Sequence, residues 1–405
     1  MTDSASVDLP EGAELVPVER VEVLEVALPL LEPFVTSFGA TAIRHVVLVH
    51  LFDADGVEGW GEAAPLDHPF YLPDTVSGAL ALLVEYAVPM CLRTGVTSPP
   101  DAASAMTPIR GNTFARAGLE QAYWTLASLR EGVPLAELLG AHVERVPVGE
   151  SIGFKRSVGA VVEEVQLRLD QGYRRIKLKI GPGWDVEVVR AVREEVGFDV
   201  MLQVDANAAY TLQDADALRA LDQFDLTCIE QPLGFDDILG HAALQRRLAT
   251  PICLDESLRS PADARRALDM DACRNVNLKP GRVGGISASL EIEALCRYRG
   301  VPLWCGGMLE SGIGRAANLA LAALPGFVQP ADMSPASVLY EDDLVDPTYV
   351  MDDEGFIAVP TEPGVGLNVV EGRVRSRTVR RVELDRKGEV VREERPAWGD
   401  ERSET

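Results

Sequence analysis

The chain has 405 residues and a formal net charge of −25. This length exceeds what one small core needs and suits a barrel of about 250 residues plus a second domain. The negative charge opposes binding to nucleic acid or to anionic membrane surfaces, so neither is an expected partner. The six cysteines form no CxxC pair and are interpreted as small buried hydrophobic residues, which suits a reducing cytoplasm.

The first part of the chain is predicted to fold as a unit of its own. Residues 1–15 are acidic and polar, so we expect a disordered tail there and no signal peptide. Residues 16–140 are predicted to form an α+β domain, because three antiparallel strands precede three helices. The strands are expected over 18–28, 46–52 and 57–62, and the helices over 75–91, 100–106 and 113–129. No membrane span is expected, since the apolar run 79–92 is short and contains Glu85.

Residues 141–345 alternate predicted strands with predicted helices, which indicates parallel βα units. Five consecutive strands end in a charged residue, about 25 residues apart: Lys179, Asp205, Glu230, Asp255 and Lys279. This period alone would also fit an open sheet. We favour a modified (β/α)8 barrel of the TIM type, because a closed barrel gathers one charge per strand at one site. Another interpretation of Lys177 and Lys179, which share one face of their strand, is a solvated surface strand.

Three of these strand-end residues are carboxylates. Asp205, Glu230 and Asp255 would repel one another without a cation, and all-oxygen ligation predicts Mg²⁺, or Mn²⁺, at this place. Lys179 and Lys279 flank them, and nearby cations are expected to lower a lysine pKa enough to make it a base. The constellation therefore predicts an enzyme that removes a proton α to a carboxylate of a small substrate. None of the five histidines ends a predicted strand, so a histidine base is not expected.

The C-terminal part changes character again. Residues 346–382 contain short strand patterns around a Pro-Gly turn, and we expect this segment to return to the first domain. Residues 383–405 have mixed charge with Pro396 and Gly399, which predicts a disordered tail.

The order of these features resembles the enolase superfamily, and within it the muconate-lactonizing subgroup. The shared features are the α+β domain, a KxK strand, three carboxylate strand ends and a lysine on the sixth strand. More narrowly, five stretches are similar to the family of o-succinylbenzoate synthase and N-succinylamino acid (N-acylamino acid) racemase. These stretches are Pro33–Gly39, Gly59–Glu62, Leu254–Ser257, Lys279–Gly285 and Gly306–Gly312.

The resemblance implies a TIM-type barrel with an N-terminal α+β capping domain, Mg²⁺ on the three carboxylates, and a cytoplasmic homo-oligomer. In the racemase reaction, the resemblance implies that Lys179 and Lys279 each move a proton. In the synthase reaction of menaquinone biosynthesis, it implies that Lys179 is the base and that Lys279 is only an electrostatic stabiliser. Lys177 resembles the family's accessory lysine. Arg282 resembles an arginine of racemising members, although pairing with a surface acid is as consistent.

Further residues are candidates for substrate contacts. Ser151 and Asn207 lie at or just past strand ends, and the backbone at Gly306, Gly307 and Met308 could approach the substrate. Phe38 and Tyr71 belong to two loops that resemble the family's capping loops, although core packing is as consistent for either side chain.

Two alternatives stay open. Within the superfamily the chain could be a dipeptide epimerase or muconate cycloisomerase, but an epimerase would need an acidic pair near the eighth strand and only Asp332 is present. Outside enzymes, the charges could form a structural salt-bridge cluster in a non-catalytic barrel.

Overall fold

The computed structural model describes residues 16–36 and 39–396. Its N-terminal domain contains a five-stranded antiparallel sheet and several helices. The predicted tail 1–15 lies outside the described residues. The first three strands are β1 Val18–Thr36, β2 Gly39–Asp53 and β3 Glu58–Ala63. The helices are α1 Val76–Leu82, a π-helical turn Leu83–Ala87, α2 Val88–Thr94, α3 Pro99–Ala105, α4 Thr113–Glu131 and α5 Leu135–Leu138.

The sheet and α4 approach each other closely because β3 presents glycines to the helix. A Cβ at Gly61 would lie 2.0 Å from the carbonyl oxygen of Gly118 and 2.6 Å from the nitrogen of Ala122. The continuous helical segment Val76–Thr94 is, among the described residues, the one helix whose length and composition would allow it to cross a membrane. Leu80 and Leu83 of this segment are fully buried in the core.

Seven parallel strands in chain order form most of the barrel. Strand β4, Arg145–Pro147, precedes them. The seven are β5 Glu150–Ile152, β6 Arg175–Lys179, β7 Met201–Asp205, β8 Ile229–Glu230, β9 Ile252–Leu254, β10 Asn275–Leu278 and β11 Leu303–Cys305. The helices are α6 Val158–Asp170, α7 Val186–Val196, α8 Ala215–Arg219, α9 Ile238–Gln245, α10 Pro261–Asp269, α11 Pro280–Val283, α12 Ile286–Arg299 and α13 Gly312–Ala322.

An eighth segment closes the barrel between β11 and β5. Phe327 forms a parallel bridge with Leu303, and Ala331 forms one with Val148. The nitrogen of Asp332 donates to the carbonyl of Cys305 at 2.9 Å. The predicted (β/α)8-type barrel is therefore confirmed, with its last strand reduced to bridges because Pro330 cannot donate to the ladder.

The C-terminal part is more ordered than predicted. It contains β12 Val345–Asp346, β13 Phe356–Ala358, β14 Asn368–Val369, α14 Glu371–Arg377, β15 Thr378–Asp385 and β16 Val390–Glu394. Strand β13 pairs with β4, whereas β15 pairs with β1 and extends the N-terminal sheet.

The prediction of a disordered tail over 383–405 is wrong for its described part, because β15 continues to Asp385 and β16 pairs with it. Val382 and Leu384 are buried on one face of β15. The charges beside them pair across strands, as Arg381 does with Glu22 at 2.7 Å and with Glu394 at 3.3 Å. Residues 397–405 lie outside the described part of the chain.

Candidate active site

A cavity of about 440 Å³ lies at the carboxyl ends of the barrel strands. The N-terminal domain closes part of it with Leu30, Leu66 and Tyr71, and the loop after β11 contributes Gly307 and Met308. Charged side chains at or near the strand ends line it, namely Lys177, Lys179, Asp205, Asp255 and Lys279. Parallel strands place their carboxyl ends on one side of a barrel, so these groups come together as the sequence predicts.

Lys179 and Asp205 are direct neighbours in the register between β6 and β7. The ammonium of Lys179 lies 2.6 Å from Oδ2 of Asp205 and 2.5 Å from Oδ1 of Asn207. The backbone nitrogen of Asn207 donates to the other oxygen of Asp205 at 3.0 Å. Asn207 adopts a φ of 42°, and this left-handed turn lets both its backbone and its side chain face the strand end. Asn207 therefore positions one lysine and one carboxylate.

Glu230 is fully buried at the end of β8. Its oxygens accept from Asn277 Nδ2 at 2.6 Å and from Lys177 Nζ at 3.1 Å, and the same ammonium is 3.8 Å from Asp205 Oδ2. Burial raises the pKa of Glu230 to about 7, and the charges of Asp205 and Asp255 also raise it. The three carboxylates are thus close enough to repel one another.

Asp255 has three donors around its carboxylate. Tyr71 donates at 2.8 Å, Lys279 at 3.0 Å, and the fully buried guanidinium of Arg282 donates as well. Burial alone would raise the pKa of Asp255, but Lys279 and Arg282 outweigh it and hold this pKa below its usual value. Arg282 is therefore not paired with a surface acid. Its guanidinium also donates to the carbonyl of Leu258 at 2.6 Å, and this second bond fixes its position beside Asp255.

The pKa of Lys279 differs from the lowered value expected from the sequence. Burial would lower it, but Asp255 and the Tyr71 hydroxyl raise it above the ordinary value for lysine. A lowered lysine pKa requires a divalent cation that offsets the negative charge of the carboxylates. Here Asp255 faces Lys279 directly, and this anion stabilises the ammonium form of Lys279.

The donor set fits a hard divalent cation. Asp205, Glu230 and Asp255 supply only oxygen, and a further buried carboxylate atom, Oε2 of Glu256, lacks a hydrogen-bond partner within the described chain. In the present arrangement each carboxylate is turned toward its own cationic partner. Accordingly, no three acidic, histidine or cysteine side chains among residues 16–36 and 39–396 already converge as ligands. Lys177, between Asp205 and Glu230, shows that these two can hold one positive charge together.

Asp332 is a site residue whose role sequence reasoning missed. It follows the closing segment of the barrel, and its carboxylate pairs with both Lys177 and Arg175. Burial would raise the pKa of Asp332, but Arg175 and Lys177 hold it below its usual value. The signal in the sequence is its position at the end of the eighth strand, because Lys179, Asp205, Glu230, Asp255 and Lys279 also stand at strand ends.

The predicted substrate contacts fall into three groups. Ser151, Asn207, Tyr71, Gly307 and Met308 line the cavity. Gly306 lies behind it, where a Cβ would be 2.8 Å from the side chain of Lys279. Phe38 lies outside the described residues, so its predicted contact stays a prediction.

The N-terminal domain fixes the loop of residues 306–311. Arg44 donates to the carbonyl of Met308 at 3.2 Å. Glu62 accepts from the nitrogen of Ser311 at 3.1 Å and from that of Gly314 at 3.0 Å. These contacts couple the position of a cavity wall to the packing of the two domains.

Comparisons with known proteins agree with this geometry. Residues 19–140 match the mandelate racemase / muconate lactonizing enzyme N-terminal domain, and residues 160–373 match the enolase C-terminal domain-like family. An o-succinylbenzoate synthase from Geobacillus stearothermophilus is 46% identical over 352 residues, 87% of this chain and 93% of that protein. An N-succinylamino acid racemase from Thermus thermophilus is 45% identical over 352 residues, 87% of this chain and 95% of that protein.

A solved structure shows the same architecture. An enolase superfamily member from Listeria innocua aligns with a TM-score of 0.89 at 37% identity, covering 92% of this chain and all of that chain.

Proposed function

Because the chain belongs to the enolase superfamily, with the mandelate racemase / muconate lactonizing enzyme domains, we propose that it removes the proton α to a carboxylate. The specific activity proposed is o-succinylbenzoate synthase, N-succinylamino acid racemase, or both. The observation that carries this proposal is the placement of Lys179 and Lys279 on separate strand ends, each beside one of the buried carboxylates. Two amines so placed can reach one α-carbon from two directions.

We propose that Asp205, Glu230 and Asp255 bind Mg²⁺. When bound, the ion supplies positive charge that holds the substrate carboxylate and offsets the negative charge developing as the α-proton leaves. Lys177 stays between Asp205, Glu230 and Asp332 and adds a fixed positive charge to the same side. Asn277 holds Glu230 in its orientation.

The two lysines are assigned the proton transfers. For the racemase reaction, one lysine removes the α-proton and the other returns a proton to the opposite face. Asn207 positions Lys179, and Tyr71 with Asp255 positions Lys279. For the synthase reaction, Lys179 removes the proton and then protonates the departing hydroxide, while Lys279 remains a stabilising ammonium.

The N-terminal domain excludes water from the cavity. Leu30, Leu66 and Tyr71 cover one side of the cavity, and a dry cavity strengthens the electrostatic contacts within it.

We further propose that the protein is a cytoplasmic homo-oligomer, which its similarity to the family supports. Light scattering tests the oligomeric state.

The dipeptide epimerase alternative is less well supported. The acid available at the eighth strand end to hold a substrate ammonium is Asp332, and its carboxylate already pairs with Arg175 and Lys177. An incoming ammonium would have to displace Arg175 or Lys177 from Asp332. The displaced cation would then be buried without a partner, which is energetically unfavourable.

Two assays on the purified protein with Mg²⁺ test the proposal. One measures o-succinylbenzoate formation by absorbance, and the other measures racemisation of N-succinyl-L-amino acids by chiral chromatography. Lys179→Ala is expected to abolish both, and the exposed Lys387 provides a control as Lys387→Ala. Absence of both reactions in the Mg²⁺-loaded protein would reject the specific activities. Absence of any Mg²⁺ binding would favour the structural charge cluster.

A further inference from the structure

Six cationic side chains line the cavity: Lys155, Arg168, Lys177, Lys179, Lys279 and Arg315. Five of them already have an acidic partner. Lys177, Lys179 and Lys279 pair with the strand-end carboxylates, while Lys155 and Arg168 share Glu164 at 3.3 Å and 2.6 Å. Among the described residues, Arg315 alone of this set forms no ion pair.

Arg315 is also buried at a place where an unpaired guanidinium is costly. It lies in the first turns of α13, directly after the cavity-lining loop, and only 2% of it is exposed. Its Nε and Nη1 atoms are buried and have no hydrogen-bond partner within the described chain. A buried charge without a partner carries a desolvation penalty that a folded protein normally removes by pairing.

Tyr340 and Tyr349 are electrostatic neighbours of both Arg315 and Asp343, but none of the three forms a hydrogen bond or ion pair with Arg315 in the described structure. The carboxylate of Asp343 is engaged by the nitrogens of Gly312 and Leu344 at 2.8 Å and 2.6 Å, and by Thr348 at 3.1 Å. Tyr340 donates its hydroxyl to the carbonyl of Leu309 at 2.6 Å. Tyr349, whose hydroxyl has no partner in the described structure, is neutral. No acidic side chain among the described residues forms an ion pair with Arg315, and its side chain lines the cavity.

We infer that Arg315 binds the second carboxylate of the substrate. This inference rests on the proposed function, in which the first carboxylate lies at Asp205, Glu230 and Asp255. Both proposed substrates carry a succinyl group and hence a second carboxylate. The planar fork of a guanidinium matches a carboxylate with two parallel hydrogen bonds, so Arg315 would determine specificity for succinylated over neutral acyl groups.

The test compares an N-succinylamino acid with its neutral terminal amide, which has nearly the same shape. Binding to the Mg²⁺-loaded protein is measured by calorimetry, and kcat and KM by racemisation. The unmodified protein is expected to bind the succinyl compound on the order of tenfold or more tightly than the amide. Arg315→Met should remove this preference by weakening binding of the succinyl compound only, with kcat on the amide retained. Arg315→Lys should give an intermediate preference.

A matched control is Arg193→Met. Arg193 is also buried, but it does not line the cavity and donates to the backbone carbonyls of Phe224, Gly197, Val200 and Asp225. The Arg193→Met variant should have a lower melting temperature and an unchanged ratio of affinities for the succinyl compound and its amide. The inference is overturned if Arg315→Met weakens both compounds equally, or if the unmodified protein does not discriminate between them. If Arg315→Met does not fold, Arg315→Lys gives the same comparison, and a preference equal to that of the unmodified protein overturns the inference.

Failure of the proposed function gives a different pattern. In that case neither compound is turned over, while the calorimetric preference still reports on Arg315. Retained turnover of both compounds with no preference would instead support the function and reject the role of Arg315.

Discussion

The hydroxyl of Tyr71 donates a 2.8 Å hydrogen bond to Asp255 across the boundary between the two domains. The same hydroxyl accepts from the ammonium of Lys279 at 3.0 Å. A loop of the N-terminal domain thus completes the surroundings of a barrel lysine and a barrel carboxylate. The contact of Tyr71 with Asp255 and Lys279 therefore both covers the cavity and positions the Lys279 ammonium.

Tyr71→Phe removes this hydroxyl and keeps the ring. We expect proton exchange through Lys279 to fall on the order of tenfold, because a hydrogen bond to a charged group is lost. Exchange through Lys179, whose hydrogen bonds in the described structure go to Asp205 and Asn207, should change less. Deuterium incorporation into each enantiomer of an N-succinylamino acid measures the two separately. The exposed Tyr86 serves as control in Tyr86→Phe, and an equal loss for both enantiomers would count against this role.

Mg²⁺ should stabilise the folded protein. Ligand that binds only the native state raises the free energy of unfolding by about 2.7 kcal/mol at a hundred times its Kd, and a rise in melting temperature reports it. Glu230→Gln should abolish the Mg²⁺-dependent rise, since the central carboxylate becomes neutral. Glu371→Gln changes an exposed acid on α14 and should keep the rise. An unchanged response in Glu230→Gln would disprove the proposed ligand set.

The stability of the domain contact should depend on pH through Glu62. Burial raises the pKa of Glu62 to about 7, and the neighbouring charge of Glu310 adds to this although bonds from Ser311 and Gly314 oppose it. The folded state therefore holds a proton that the unfolded state releases near pH 4.5. Stability from this group is present at low pH and is lost as the pH rises through 7.

Glu62→Gln tests this pH dependence. Its free energy of unfolding should fall less than that of the unmodified protein between pH 5 and 8, by up to about 3 kcal/mol. Denaturant unfolding at several pH values measures the difference, with Glu371→Gln as control. Parallel pH profiles for Glu62→Gln and the unmodified protein would show that Glu62 does not titrate in this range.

Two glycine substitutions separate close packing from backbone strain. Gly61→Ala puts a methyl group against the backbone of α4 and should cost about 3 kcal/mol or more, because neither element can move freely. Gly56 has a φ of 81° and open space around it, so Gly56→Ala should cost about 1 kcal/mol. Chemical denaturation compares them, and a smaller cost at Gly61 would contradict the close contact of β3 and α4.

Sequence reasoning succeeded where a regular pattern carried the information. Lys179, Asp205, Glu230, Asp255 and Lys279 recur with the period of the βα unit. Closure of the barrel brings four of them to the cavity and places Glu230 beside Lys177, which also lines it. The strand ends and the direction of the strands are enough to predict this meeting point.

The remaining contacts depend on side-chain direction and on long-range pairing. Tyr71 meets Asp255 through the relative placement of two domains, which no local pattern fixes. Arg282 is fully buried behind Asp255, although its loop position was equally consistent with a surface pair. The charge content of β15 and β16 is typical of a solvated tail, and only Val382 and Leu384 of β15 show the alternation of a buried strand face.

The most direct test of the central claim is deuterium exchange on Lys179→Ala and Lys279→Ala in the presence of Mg²⁺. Both enantiomers of an N-succinylamino acid are followed by proton NMR in D₂O. If the lysines serve opposite faces of the α-carbon, the unmodified protein exchanges both enantiomers and each variant loses exchange of a different one. Exchange of both enantiomers that survives either substitution would contradict proton transfer by these lysines.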